Sequence, residues 1–200
     1  PNANAELKPG MFATALIQQP KKEEAILVPA SAVRVVSGTS RVFVIAGSVG
    51  LTGAAALCGL GALRAGAGLV TLGLPSSLND LMAIKLTEVM TTPLPETKRR
   101  TLSARALPDL LRMIERVDAL ALGPGLSQEA ETKQLGRQLL PRITKPCVVD
   151  ADGLNALADE PQTLKRLTLP VILTPHPGEM GRLIRQSAED VQRDRERTAK

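Results

Sequence analysis

The sequence predicts an α/β domain in which a parallel sheet is flanked by helices and preceded by a short β meander. From residue 42 onward, short β-branched or aliphatic runs alternate with helical stretches, a pattern typical of parallel strands joined by helical crossovers. Four of the predicted strands lead directly into loops rich in glycine, proline or aspartate. Before residue 42 the β-prone runs are short and interrupted by prolines, as in a meander of short strands.

The opening segment, residues 1–41, is the predicted meander. Its Pro9-Gly10 pair fits the centre of a type II turn, because proline fixes φ at the first position and glycine accepts positive φ at the second. The runs Leu-Lys-Pro-Gly-Met at residues 7–11 and Val-Pro-Ala-Ser-Ala-Val at residues 28–33 resemble the end of the β-barrel domain in periplasmic adaptors, the membrane fusion proteins of efflux pumps. This resemblance implies a structural link between membrane components, and it covers only the opening segment.

The second segment, residues 42–200, contains five predicted strands and five predicted helices. The strands are predicted at residues 42–46, 69–74, 117–122, 146–150 and 170–173. The helices are predicted at about residues 52–65, 78–85, 103–115, 128–140 and 177–185. The two segments meet at the strand Arg41–Ile45. A natural fusion, an engineered chimera and a sequence-assembly error would all give this same amino-acid sequence, so the sequence does not distinguish between these origins of the junction.

Four loops follow predicted strands, at residues 47–53, 123–125, 150–153 and 174–179. Carboxyl ends of parallel strands lie at one edge of a sheet, and ligands of open α/β sheets bind in the crevice there. The sequence therefore predicts a ligand site at these loops. The first loop has small side chains and opens a helix, so its amides can approach an anionic or polar ligand. A tight strand-to-helix turn explains the same glycines, and their spacing matches neither the phosphate loop nor the dinucleotide motif.

The next two loops each allow a binding and a structural interpretation. The turn at residues 123–125 leaves its strand with few side chains, which suits backbone contact with a ligand and equally a simple turn. Asp150 and Asp152 can offer carboxylates to a hydroxyl group or a metal. Asp152 also precedes a predicted helix, and we favour an N-cap role for it. Asn155, one turn into that helix, is expected to face the crevice and to hydrogen-bond a substrate.

His176 is the only histidine of the chain and stands between two prolines, which restrict the backbone on both sides. Pro177 suits the first position of a helix, and Glu179 suits its first turn, where the helix dipole favours a negative charge. A lone histidine is usually structural or exposed. Its place at the carboxyl end of a predicted strand makes His176 a candidate binding residue.

Composition argues against several classes of function. The net charge of +5 comes with only two aromatic residues, Phe12 and Phe43, so the stacking platforms of single-strand binders are missing and we expect no nucleic-acid partner. No apolar run approaches the ~20 residues of a membrane span, and no secretory signal is found, so we expect a cytoplasmic protein. Cys58 and Cys147 lie in apolar stretches without the spacing of a metal site and are predicted to be buried, reduced thiols.

Five motifs in chain order resemble NAD(P)H-hydrate dehydratase, a family of the ribokinase-like superfamily that repairs hydrated nicotinamide cofactors. They are Ala-Gly-Ser with Thr-Gly-Ala-Ala at residues 46–55, Leu-Arg-Ala-Gly-Ala-Gly-Leu-Val-Thr at 63–71, Gly-Pro-Gly-Leu at 123–126, Asp-Ala-Asp-Gly-Leu-Asn at 150–155 and Leu-Thr-Pro-His-Pro-Gly-Glu at 173–179. The resemblance implies an ADP-dependent dehydration of the S epimer of NADH or NADPH hydrate, in which ADP leaves as AMP. A ribokinase-like vitamin kinase is the enzymatic alternative.

The resemblance also implies which residues bind the hydrated substrate. They are Ala54, Gly123, Gly125, Asp152, Asn155 and His176. No residue of the chain is assigned as catalytic, and none as a metal ligand. The implied partners are the small-molecule substrate and ADP, with Mg²⁺ as the accompanying ion, and a homo-oligomer is left open.

The sequence departs from the family pattern after Glu179. The family continues into a lysine-bearing strand and a Gly-x-Gly-Asp segment, which forms the anion hole and supplies the catalytic base. The sequence reaches Lys200 before either feature. We therefore expect most of the ADP site to be absent from this chain and its dehydratase activity to be low. The last predicted strand is expected to lie beside an unpaired sheet edge.

Overall fold

The computed structural model of the chain describes residues 39–167 and 169–199. The predicted meander of residues 1–41 lies outside the described residues except at its very end, where Arg41 begins the first strand. The resemblance of residues 7–11 and 28–33 to an efflux adaptor falls on residues that are not described.

Strands and helices alternate along the described chain. The strands are β1 (Arg41–Ile45), β2 (Leu69–Pro75), β3 (Met90–Leu94), β4 (Ala119–Leu122), β5 (Cys147–Val149) and β6 (Val171–Leu173). The helices are α1 (Thr52–Arg64), α2 (Asn79–Lys85), α3 (Leu107–Ile114), α4 (Ala130–Leu139), α5 (Asp152–Ala158), α6 (Pro177–Ile184), α7 (Ala188–Arg193) and α8 (Arg195–Thr198). Short 3-10 turns occupy Ser76–Leu78, Ala104–Ala106, Leu140–Arg142 and Pro161–Arg166.

All six strands run parallel in one sheet of order β3-β2-β1-β4-β5-β6, which confirms the predicted fold class. The chain builds outward from β1 to β3, returns to place β4 beside β1, and builds outward again to β6. In this register Val44 lies between Leu72 of β2 and Ala121 of β4. The reversal of strand order opens a crevice at the carboxyl ends of β1 and β4.

Hydrophobic side chains are buried on both faces of the sheet. Phe43 and Ile45 of β1 belong to one cluster, which takes in side chains from α3, α4 and α5. Val44 and Ala46 belong to a second cluster, which takes in side chains from α1 and α2. The alternation follows from the two-residue period of a strand, and it produces three layers with the sheet in the middle.

The ring of Phe43 fills the space beside a glycine of the neighbouring strand. Phe43 is 0% exposed, and a Cβ added to Gly73 of β2 would lie 2.7 Å from the Cζ of that ring. The packing of the central strands therefore depends on one large side chain facing a position with none.

The structure contains a strand that the sequence pattern did not predict. β3 includes Pro93 and pairs only with β2 among the described residues. Proline has no backbone N–H to donate to a neighbouring strand, so Pro93 argued against a strand here. An edge strand tolerates it, because one side of that strand needs no donor. At the opposite edge, β6 pairs only with β5 among the described strands, as expected for the last predicted strand.

The two cysteines are free thiols in different surroundings. Cys147 is buried, and burial raises the pKa of its thiol to about 12, so the prediction of a buried thiol is confirmed there. Cys58 is only partly buried. No helix in residues 39–167 or 169–199 combines the length and the apolar character that crossing a bilayer requires.

Candidate functional site

The crevice at the carboxyl ends of β1 and β4 is closed at its base by contacts between two loops. The Gly47 amide donates a hydrogen bond to the Pro124 carbonyl at 2.9 Å. The Ser48 hydroxyl, in a side chain that is 1% exposed, donates to the Gly125 carbonyl at 2.8 Å. In the sequence Ser48 is one residue of a small-residue loop, and nothing in the pattern indicates its partner 77 residues away.

Gly123 and Gly125 leave no room for side chains. Gly123 has a φ of +130°, and a Cβ there would lie 1.8 Å from the Asp150 carbonyl oxygen. Gly125 has a φ of +67°, and a Cβ there would lie 2.8 Å from the Leu51 carbonyl oxygen and 3.1 Å from the Cβ of Ala54. The backbone of the protein itself therefore requires glycine at both positions, and Ala54 and Gly125, two of the predicted site residues, lie side by side.

Helix α1 begins at this crevice with an open N-terminus. Leu51 occupies the cap position, no side chain of the described residues caps the helix, and its first turn contains no acidic residue. A Cβ added to Gly50 or Gly53 would meet nothing within 4 Å. The positive end of the helix dipole and its amides can therefore approach a polar or anionic ligand, as predicted for residues 47–53.

Asp152 has a different local role from the one predicted. Helix α5 begins at Asp152 itself, and the cap position belongs to Ala151, which has a φ of +48°. The Asp152 carboxylate accepts a hydrogen bond from the Ser127 amide at 2.9 Å and another from Asn155 Nδ2 at 3.0 Å. The favoured N-cap role is therefore wrong, because the left-handed turn at Ala151 frees the carboxylate to hold the loop that follows β4.

Asn155 is held inside the protein by both ends of its side-chain amide. It is 7% exposed, its Nδ2 donates to Asp152, and its Oδ1 accepts from Arg182 Nε at 2.9 Å. Its burial and these two hydrogen bonds argue against the expected direct hydrogen bond from Asn155 to a substrate. Arg182 was not singled out from the sequence, where it is one of many arginines in a charged helix.

The two aspartates of the third loop differ in their surroundings. Both carboxylate oxygens of Asp152 accept hydrogen bonds, whereas the Asp150 carboxylate has no hydrogen-bond partner among the described residues. Burial, and to a lesser extent the charge of Asp150, raises the pKa of the Cys58 thiol on α1. Asp150 is therefore the acid of this loop that is still available to a ligand hydroxyl.

His176 forms the N-terminal cap of α6 in a capping box with Glu179. Its Nδ1 accepts a hydrogen bond from the Gly178 amide at 3.0 Å, and the His176 amide donates to Glu179 Oε2 at 3.0 Å. The ring Nε2 lies 3.3 Å from Glu179 Oε1. Because Nδ1 accepts, the proton of the neutral ring is on Nε2. The predicted places of Pro177 and Glu179 in the first turn are confirmed.

The His176 imidazole is fixed by its own helix and yet accessible. Its side chain is 62% exposed, whereas that of Glu179 is 8% exposed. In the described residues no hydrogen bond joins His176 to Ala54 or Gly125. The ring therefore offers a face and an edge to a ligand from a fixed position at the carboxyl end of β6. Within residues 39–167 and 169–199, no group of three or more His, Cys, Asp or Glu side chains converges on a possible metal position.

The chain is similar to a family of repair enzymes over most of its length. The family model described as NAD(P)H-hydrate dehydratase matches residues 42–200. The bifunctional NAD(P)H-hydrate repair enzyme Nnr of Moorella thermoacetica is 50% identical over 155 residues, which are 78% of this chain and 29% of that protein. The chain thus spans less than a third of the curated relative that it matches.

Solved structures show the same likeness in three dimensions. The ADP/ATP-dependent NAD(P)H-hydrate dehydratase of Bacillus subtilis, crystallised with ATP and Mg²⁺ and soaked with CoA, has 29% identity and a TM-score of 0.58, covering 82% of this chain and 56% of that one. A ribokinase-like superfamily protein of Enterococcus faecalis has a TM-score of 0.64 at 22% identity, covering 80% of this chain and 54% of that one. The described domain has the ribokinase-like fold.

Proposed function

The chain belongs to the NAD(P)H-hydrate dehydratase family, and we propose that residues 42–200 bind the hydrated nicotinamide cofactor in the crevice between the loops that follow β1 and β4. The activity that we assign to the protein is the ADP-dependent dehydration of the S epimer of NADH or NADPH hydrate. The observation that carries this proposal is the contact between Ala54 and Gly125 at the point where strand order reverses. A site with only a methyl group and bare backbone lets a planar ring approach the main chain closely.

The described residues contribute binding and orientation. The open N-terminus of α1 offers amide donors, and the fixed ring of His176 lies at the carboxyl end of β6. Phosphorylation of the ring hydroxyl by ADP turns a poor leaving group into a good one, so that elimination restores the dihydronicotinamide. The protein's part in such a transfer is mostly positioning and electrostatic stabilisation.

We assign no catalytic base to residues 42–200. The described residues show no carboxylate cluster that fits Mg²⁺. The chain covers 56% of the Bacillus subtilis enzyme, which was crystallised with ATP and Mg²⁺. Our proposal for residues 42–200 is that they bind and orient the hydrated substrate.

Two measurements on the full chain test this function separately. Isothermal titration with (6S)-NADH hydrate should show saturable binding, and Ala54→Leu should abolish it, because the added carbons enter the space beside Gly125. Leu57→Ala is the matched control, since Leu57 lies in the same helix and is 75% exposed. Absence of binding by the unaltered chain would refute the proposed site. In an assay of reduced nicotinamide formation with ADP, turnover would support the assigned dehydration, and saturable binding without turnover would limit residues 42–200 to substrate binding.

A vitamin kinase of the ribokinase-like superfamily is the second candidate, because it shares the fold of this domain. A panel of vitamin-like alcohols with ATP or ADP separates the two activities, because only a kinase releases a stable phosphorylated product.

The adaptor resemblance of residues 1–41 is a separate proposal for that segment, a link between membrane components. A signal peptide and a coiled coil encoded upstream in the same open reading frame would support it.

A further inference from the structure

A continuous chain of hydrogen bonds joins α6 to the loop after β4. Arg182 Nε donates to Asn155 Oδ1 at 2.9 Å, Asn155 Nδ2 donates to Asp152 Oδ1 at 3.0 Å, and the Ser127 amide donates to Asp152 Oδ2 at 2.9 Å. Asn155 is 7% exposed, so the middle of this series of hydrogen bonds is shielded from water. Because Asn155 Nδ2 is engaged by Asp152, the oxygen Oδ1 is the amide atom that faces Arg182.

These hydrogen bonds orient the guanidinium of Arg182 but leave its Nη donors free among the described residues. Arginine has five N–H donors in a rigid fork, and only the one at Nε is engaged among the described residues. The two Nη groups are the donors that bind phosphate oxygens in bidentate contacts. Arg182 is exposed, so a ligand can reach those donors.

The free donors of Arg182 lie next to His176. A Cβ added to Gly178 would lie 3.8 Å from Arg182 Nη1, 3.0 Å from His176 Cε1 and 3.3 Å from His176 Nδ1. A Cβ at Gly178 would press against the imidazole, so this position favours glycine, and the imidazole and the guanidinium both lie beside it at the N-terminus of α6. A cation beside the positive end of a helix favours an anionic ligand group.

We propose that Arg182 binds a phosphate group of a nucleotide ligand through its exposed Nη groups beside the N-terminus of α6, and that Asn155 and Asp152 act as positioning residues by holding its Nε. The inference rests on the proposed function, because the hydrated dinucleotide substrate carries a pyrophosphate bridge. The pyrophosphate bridge and the phosphates of ADP both carry oxygens that can accept hydrogen bonds from the two Nη groups of Arg182. In either case the bound group is a phosphate.

The test compares three ligands by isothermal titration on the full chain: (6S)-NADH hydrate, the phosphate-free hydrated nicotinamide riboside, and ADP. Arg182→Gln should weaken binding of hydrated NADH about tenfold or more, as expected for loss of a charge-assisted contact, and leave the riboside unchanged. Arg182→Lys should retain part of the affinity, because it keeps the charge and loses the fork. Arg112→Gln is the matched control, with the same charge change on an exposed side chain of α3.

Each outcome decides a different claim. A loss confined to hydrated NADH assigns the contact to the substrate bridge, and a loss confined to ADP assigns the same phosphate contact to the phosphoryl donor. Equal losses for hydrated NADH and the riboside, with unchanged thermal unfolding, would show that Arg182 only shapes the site and would overturn the proposal. Failure of the unaltered chain to bind hydrated NADH and the riboside would instead overturn the proposed function, and this inference with it.

Discussion

The rim formed by the loops after β1 and β4 is held by backbone contacts and one serine hydroxyl, whereas the rim formed by the loops after β5 and β6 is held mainly by side chains. We call residues 47–54 and 123–125 the glycine rim, and residues 150–155 and 174–182 the polar rim. In the glycine rim, a Cβ at position 123 would collide with a carbonyl oxygen. In the polar rim, side-chain hydrogen bonds join Asp152, Asn155 and Arg182 Nε, and the side chains of His176 and Glu179 each accept one from a backbone amide. Positions 123 and 125 of the glycine rim should therefore be intolerant of added atoms, and the polar rim should be intolerant of lost hydrogen bonds.

The largest expected effect is in the glycine rim. Gly123→Ala places a Cβ 1.8 Å from the Asp150 carbonyl oxygen at a φ of +130°, so the end of β5 or the turn must move. We expect a loss of at least about 3 kcal/mol in the free energy of unfolding. Urea denaturation followed by circular dichroism measures it. Gly61→Ala is the control, because its Cβ would meet nothing within 4 Å and alanine favours a helix.

A smaller loss is expected when the polar rim is cut at its centre. Asn155→Ala removes one hydrogen-bond partner from Asp152 and one from Arg182, and we expect a loss of about 1–3 kcal/mol in the free energy of unfolding. Gln134→Ala, an exposed amide on α4, serves as the matched control in the same urea series. A stability equal to that of the control would show that the buried hydrogen bonds contribute nothing.

The cap of α6 gives the next effect. His176→Ala removes the acceptor for the Gly178 amide and should lower the free energy of unfolding by about 1 kcal/mol. Ser187→Ala removes the equivalent cap of α7 and should cost a similar amount. Only His176→Ala should also weaken binding of hydrated NADH, as measured by titration. Equal effects of the two variants on binding would contradict a ligand contact by His176.

The smallest effect concerns Asp150, whose carboxylate has no hydrogen-bond partner among the described residues. The negative charge of Asp150 disfavours the Cys58 thiolate, so Asp150→Asn should lower the pKa of Cys58. The shift should be modest, because burial is the larger cause of the raised pKa and the substitution leaves it unchanged. The pH dependence of the alkylation rate at Cys58 measures it, with Asp118→Asn as control. An unchanged profile would show that the two groups do not interact.

The contrast between the rims also explains what could be predicted from the sequence. The parallel sheet, the four loops at one edge and the capped start of α6 follow from local patterns, namely alternation, glycine and proline positions and the Pro177–Glu179 spacing. β3 was missed because Pro93 breaks the pattern of a strand, although an edge strand tolerates it.

Contacts across the polar rim were beyond the reach of local patterns. Arg182 and Asn155 are 27 residues apart, and their meeting depends on how α5 and α6 pack. The role of Asp152 was misjudged for a related reason. The left-handed turn at Ala151 moves the helix start by one residue, and alanine seldom adopts that conformation.

Phe43, packed beside Gly73, is one of only two aromatic residues in the sequence. The sequence contains no tryptophan, no tyrosine and only one other phenylalanine, so the polypeptide hardly absorbs or fluoresces in the near ultraviolet. Emission from a reduced nicotinamide or absorbance from adenine is therefore recorded against a nearly dark background. Capture or release of either molecule by this chain can be followed optically without a label.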